Sequence, residues 1–168
     1  MATPAETLRL LGHAGQTVAT CESITGGLIC SALTSVPGSS EVVRGGLITY
    51  ATEVKTLLAG VDPDLISANG VVSAEVAEAM AEGVRRVCQA DWGLAVTGVA
   101  GPGPFEGLSA GTVWLSVIGP SVRSTVRLHE IGNRAQVRQK TVDAAVTALY
   151  HLLQIEEKRP QIEPGTVN

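Results

Sequence analysis

Aromatic side chains are scarce in this sequence: they make up 3% of it, as two tryptophans, two tyrosines and a single phenylalanine. An interior built on stacked rings is therefore excluded, and the 45% of hydrophobic residues must pack as Ala, Val, Leu and Ile, the composition of a sheet covered by helices. Cysteine is rarer still, with three residues. Cys21, Cys30 and Cys88 form an odd set without a Cys-x-x-Cys pair, which argues against a disulfide framework and against a zinc site. No apolar run reaches the ~18 residues of a membrane span. The opening Met-Ala-Thr-Pro-Ala-Glu has neither the cationic nor the apolar part of a signal peptide, so a cytoplasmic protein with no membrane partner is expected. Basic residues are outnumbered, 12 Lys and Arg against 16 Asp and Glu, and form no run interleaved with aromatics, so nucleic acid is not expected as a partner. The three histidines, His13, His129 and His151, have no acidic neighbour at triad or ligand spacing, and no cofactor or metal is implied.

What is present is an aliphatic pattern cut by 19 glycines. Residues 5–14 have helical periodicity and stop at Gly15; Thr17–Glu22 reads as a strand, Ser23–Gly27 as a turn and Leu28–Val36 as a helix. Val42–Tyr50 reads as a second strand interrupted by Gly45-Gly46, followed by a short helix over Glu53–Ala59. Asp62-Pro63 opens another short helix, and Ser73 caps a longer one reaching about Gln89. Trp92–Thr97, Thr112–Ile118 and Val122–His129 are the remaining strands, the last alternating as a half-exposed antiparallel strand does, and Arg134–Ile155 is a final helix. At 168 residues this is one α/β domain over residues 1–155, with 156–168 as a mobile tail. The expected architecture has three layers, α/β/α, around a mixed, mostly parallel five-stranded sheet.

Ligands in such sheets sit at the carboxyl ends of the strands, where three polar turns stand: Glu22–Gly27, Tyr50–Lys55 and Thr97–Pro102. In the first, Ser23 is a hydroxyl at a strand end, and the amides of Gly26 and Gly27 could meet an anion at a helix N-terminus; equally, Ser23 and Thr25 could merely cap that helix. Glu22 could orient a substrate or bond the amides of its own turn. Tyr50 and Lys55 could share a cleft with Ser23, and a desolvated lysine can activate a serine; the plainer alternative is a surface lysine and a core tyrosine. The glycine-rich run from Thr97 lacks the dinucleotide-binding fingerprint but offers amides for an oxyanion, unless it is only a turn. Arg134 and Arg138, one helical turn apart, could hold a phosphate or belong to a solvated face.

Taken together, Cys21-Glu-Ser-Ile-Thr-Gly-Gly27, Pro37-Gly-Ser-Ser40, Gly45-Gly-Leu-Ile-Thr-Tyr50 with Lys55, Gly70-Val-Val-Ser73 and Thr97-Gly-Val-Ala-Gly-Pro102 before Gly111-Thr-Val113 resemble the C-terminal domain of the competence-damage-inducible protein family, in register from about residue 5 to 153. The resemblance implies a homodimeric hydrolase that converts the carboxamide of nicotinamide mononucleotide into the acid and ammonia. Carried over residue by residue, it makes Ser23 the nucleophile, Lys55 helped by Tyr50 its base, and Thr97 with nearby amides the oxyanion site. Glu22, Thr25, Gly26, Gly27, Ser39, Ser40, Gly98, Ala100, Gly101 and Arg134 become candidates for holding the substrate. The segment Gly103–Ala110 lacks the Lys-Pro that the family usually carries before Gly-Thr-Val. A non-catalytic nucleotide-sensing or partner-binding module of the same fold is the alternative.

Overall fold

The computed structural model describes residues 1–159. Helix α1 (Pro4–Ala14) starts in a capping box between Thr3 and Glu6 and ends on left-handed Gly15. The chain continues as β1 (Val18–Glu22), α2 (Leu28–Thr34), β2 (Val43–Ile48), α3 (Thr52–Ala59), α4 (Pro63–Asn69), α5 (Ala74–Cys88), β3 (Trp92–Gly98), β4 (Thr112–Ile118), β5 (Arg123–His129) and α6 (Arg134–Glu157). Asp62 and Ser73 cap α4 and α5 through their side chains. Helix α2 is two residues shorter than the periodicity predicts, and a single 3-10 turn over Ser39–Glu41, not predicted, links it to β2. At the other end α6 runs two residues past Ile155, and the expected tail from residue 160 onward lies outside the described residues.

The sheet order is β2-β1-β3-β4-β5. Strands β2, β1 and β3 are parallel; β4 is antiparallel to both of its neighbours, so β5 points the same way as β3. The three interior strands β1, β3 and β4 are buried along nearly their whole length, whereas the edges β2 and β5 alternate or are mostly open. The alternation of β5 is only partly kept, because Val126 is 39% exposed on that outermost strand.

Residues on β1 and β3 point alternately to two apolar layers. Val18, Leu94 and Val96 pack with Leu8 and Leu11 of α1, Ile29 and Leu33 of α2, and Val142, Val146 and Leu149 of α6. Ala19, Cys21 and Ala95 face Val76, Met80 and Val84 of α5 and Ala59 of α3. This second layer is built from small side chains, and it brings α3 and α5 very close: a Cβ on Gly83 of α5 would stand 2.0 Å from the carbonyl oxygen of Ala59. Alanine in a helix interior normally stabilises by ~1 kcal/mol relative to glycine. Here the close approach reverses the sign. Gly83→Ala should lower stability by about 1–3 kcal/mol through overpacking, read as a lower urea midpoint with an unchanged slope. A gain in stability would show that the two helices can separate freely.

Candidate active site

The site begins with a carboxylate that the protein uses on itself. Glu22, the last residue of β1, is 1% exposed. Its Oε2 accepts from the Thr25 hydroxyl at 2.6 Å and from the amides of Gly27 and Ile29 at 2.9 and 3.0 Å. Its Oε1 accepts from the Cys30 amide at 2.8 Å and the Thr20 hydroxyl at 3.1 Å. The anion at the N-terminus of α2 is therefore Glu22, and the amide of Gly27 points to it rather than outward. Gly27 adopts φ 99°, which a side chain rarely tolerates. From the other side Arg138 of α6 donates to the carbonyls of Ile24 and Thr25 at 3.1 and 2.8 Å. The turn Ser23–Gly27 is thus fixed from inside by a carboxylate and from outside by a guanidinium.

What this turn presents is Ser23. Its amide donates to Val96 of β3 at 3.0 Å, continuing the β1–β3 ladder one residue past the strand, and its side chain reaches the surface only slightly. Lys55 lies one turn into α3 and is wholly buried. Its Nζ is 3.1 Å from Ser23 Oγ and donates to the Thr49 carbonyl at 2.7 Å. No carboxylate pairs with it; among the described residues the one ion pair is Arg85 with Glu82 at 3.5 Å. Burial pushes the Lys55 pKa below its ordinary value, against smaller upward pulls from Cys21 and Glu53. The Cys21 pull requires a thiolate, and burial raises that thiol to about 11, so near neutral pH it is absent. A lysine so placed can lose its proton and accept the one on Ser23.

A cleft of about 330 Å³ opens beside Ser23 at the carboxyl ends of β1, β2 and β3. Tyr50, Thr97, Gly98, Ala100, Gly101 and Arg134 line it, as do Val71 and Phe105. The hydrogen bonds of these residues differ from those expected. The Tyr50 hydroxyl does not join Lys55; it accepts from Arg134 at 2.8 Å, while the same guanidinium donates to the Gly101 carbonyl at 2.9 Å. Thr97 directs its hydroxyl at the Val71 carbonyl at 3.0 Å, so it ties the Gly70–Ser73 turn to the end of β3. The Val71 amide is held in turn by the Glu106 carboxylate at 2.9 Å.

Glu22, Thr25, Gly26 and Gly27, expected at the substrate, instead build the turn behind Ser23, because their polar atoms are already bonded there. Ser39 and Ser40 precede β2, at the opposite end of the sheet; the Ser39 hydroxyl donates to the Thr34 carbonyl at 3.3 Å. Arg138 is a brace for the turn and not a phosphate ligand in this arrangement. Two contributors were not predicted. The Thr49 carbonyl that anchors Lys55 leaves no mark in side-chain chemistry, and Glu106 sits in a loop without periodicity. Among the described residues no three His, Cys, Asp or Glu side chains are grouped to hold a metal ion, and no helix is long and apolar enough to cross a membrane.

Residues 2–153 match the family described as the CinA C-terminal domain. The chain belongs to that family. It is 46% identical over 133 residues to the CinA-like protein of Acidobacterium capsulatum, covering 79% of this chain and 32% of the relative. With the CinA-like protein of Frankia casuarinae it shares 44% identity over 146 residues, covering 87% and 34%. The chain thus spans about a third of the length of these relatives. Among solved structures, the competence damage-inducible protein A of Klebsiella pneumoniae superposes with a TM-score of 0.87 at 31% identity, over 90% of this chain and 94% of that one. The competence/damage inducible protein of Agrobacterium tumefaciens gives 0.81 at 32% identity, over 92% and 99%. The mixed five-stranded α/β architecture is that of the CinA superfamily.

The central part given to Glu22 is open to a direct test. Glu22→Gln keeps the size of the side chain but turns an NH2 group toward a row of N–H and O–H donors. It should cost about 3 kcal/mol in equilibrium unfolding, since hydrogen bonds to a charged acceptor are among the stronger ones. A loss below about 0.5 kcal/mol, the ordinary range for surface changes, would mean that the carboxylate does not organise the turn.

Proposed function

We propose that the chain is a nicotinamide-nucleotide amidase, hydrolysing the carboxamide of nicotinamide mononucleotide to nicotinic acid mononucleotide and ammonia through Ser23 and Lys55. One observation carries the reading: a wholly buried, unpaired lysine amine 3.1 Å from a serine hydroxyl at the edge of a cleft. Burying an amine without a counter-charge costs stability, so a module that only bound nucleotides would gain nothing from it. The family membership supports the same reading, and a homodimer is part of it on the resemblance alone.

In the mechanism, neutral Lys55 takes the proton of Ser23 while still donating to the Thr49 carbonyl, and Ser23 Oγ bonds to the carboxamide carbon. The carbonyl electrons move onto its oxygen. The amides of Ala100 and Gly101 on the cleft wall, which donate to no protein acceptor among the described residues, are the candidates to receive that oxyanion. Collapse breaks the carbon–nitrogen bond, Lys55 returns its proton to the departing nitrogen, and ammonia leaves. Water then attacks the ester, giving a proton to Lys55, and the carbon–Oγ bond breaks as that proton returns to Ser23. Arg134, with two of its N–H groups held by Tyr50 and Gly101, supplies the cation for the substrate phosphate.

The test is incubation of the pure protein with nicotinamide mononucleotide and measurement of ammonia. Ser23→Ala should reduce turnover by several orders of magnitude with the fold intact. Lys55→Arg keeps the charge but cannot act as a base, and should lower kcat at least ~10²-fold with substrate binding retained. Full turnover by either variant removes that residue from the chemistry.

Acidity offers an independent check. The base is the neutral amine, so kcat/KM should rise with pH through a midpoint below ~10.4, the ordinary lysine value. The folded pKa is lowered while the unfolded one is ordinary, so between the two the unfolded chain binds more protons and stability should climb with pH. Lys55→Met should remove that climb in urea melts across the window. A slope unchanged in this variant would assign it to another group.

A further inference from the structure

Five aromatic residues serve the whole chain. Trp92 is fully buried, Trp114 and Tyr150 are partly covered, and only Tyr50 and Phe105 stand out, at 62% and 48% exposure. Both line the same cleft. Phe105 is the only phenylalanine, and it belongs to neither hydrophobic cluster, so its ring does not serve the core. Its backbone is nevertheless fixed. The Phe105 amide donates to the Leu108 carbonyl at 3.0 Å and the Leu108 amide donates back at 2.9 Å. The next residue, Glu106, adopts φ 49°, uncommon for a side chain other than glycine, and bonds the Val71 amide of the neighbouring wall. An exposed ring thus stands on a fixed backbone at the rim of the cleft that Ser23 also lines.

The charge lining the cleft limits which groups could receive the cationic ring of the substrate proposed above. Arg134 is the one charged residue among those that line it, and no carboxylate is among them. A positively charged group entering the cleft finds no anion there. Of the two exposed rings, Tyr50 already has the Arg134 cation on its hydroxyl at 2.8 Å, so the negative face of Phe105 is the remaining partner, and a planar cationic heterocycle meets such a face both by stacking and by cation–π attraction.

We propose that Phe105 is the stacking wall for a cationic heteroaromatic ring of the substrate, so that the loop 103–110 selects ring-bearing amides over aliphatic ones. The proposal rests on the amidase reading and adds a specificity-determining residue to it. Phe105 takes no part in bond making. It fixes the ring, and with it the direction from which the carboxamide approaches Ser23.

The experiment uses the full chain carrying Ser23→Ala, so that the ligand persists, and follows the ring protons of nicotinamide mononucleotide by NMR during titration. Binding should move those protons upfield, because they enter the shielding region above the Phe105 ring. Adding Phe105→Ala should abolish the shift and weaken binding about tenfold, the scale of one lost aromatic stack. Phe105→Tyr should restore both. Ribose 5-phosphate, which has no ring, should bind equally well to all of these proteins. Phe105→Leu retains the bulk and apolarity that support the loop but lacks the ring face, and should behave as the alanine variant does. Unchanged nucleotide binding in Phe105→Ala or Phe105→Leu overturns the proposal. So does an equal loss for ribose 5-phosphate, which would make Phe105 a prop for the loop. If the otherwise unaltered chain releases ammonia and Phe105→Ala has the same KM, the stacking wall is refuted and the amidase stands. If that chain neither binds nor hydrolyses the nucleotide, the amidase reading fails and the stacking proposal fails with it.

Discussion

A buried carboxylate without a cationic partner is the constraint on which this site depends. Moving a charge such as that of Glu22 out of water costs several kcal/mol, and the chain offsets the cost with five donors: two threonine hydroxyls and three amides from the turn and the first residues of α2. Each of those donors sits at a fixed distance along the chain, so satisfying the carboxylate dictates the path of residues 23–30. Ser23 is then placed by default, at the first position of a turn that has almost no freedom left. The same arrangement closes the N-terminus of α2 to any external anion, because its amides already have one.

Lys55 is the counterpart on the other side of Ser23. Glu22 neighbours Ser23 along the chain and Lys55 neighbours it through space, yet the two buried groups do not pair; each is satisfied by neutral polar atoms. Pairing would stabilise both and hold the lysine protonated. Kept apart from Glu22, the amine lies 3.1 Å from Ser23 Oγ with no carboxylate among the described residues to hold its proton.

Much of the fold is legible in the sequence because its signals are local. Gly15, Asp62-Pro63, Ser73 and the boundaries of β4 act through their own hydrogen bonds or periodicity, and the elements fall where these place them. The meeting of Ser23 with Lys55 is legible for a related reason, since the parallel strands β1 and β2 end side by side. The division of labour inside the motifs is not. Thr25, Gly26 and Gly27 have the composition of a phosphate cradle, and only the direction in which Glu22 turns its carboxylate makes them scaffold. Tyr50 likewise carries a hydroxyl suited to the base, but Arg134, 84 residues away, claims it. Contacts of that separation leave no trace in spacing, and neither does a backbone carbonyl such as that of Thr49.

The guanidinium of Arg138 reaches carbonyls made 114 and 113 residues earlier in the chain. During synthesis Ser23, Lys55 and all five strands emerge before that arginine does. The turn that carries Ser23 therefore waits, incompletely braced, until the beginning of α6 has left the ribosome and folded back. The order of synthesis thus sets the order of bracing: the Ser23 turn gains its outer brace only after all five strands have been made.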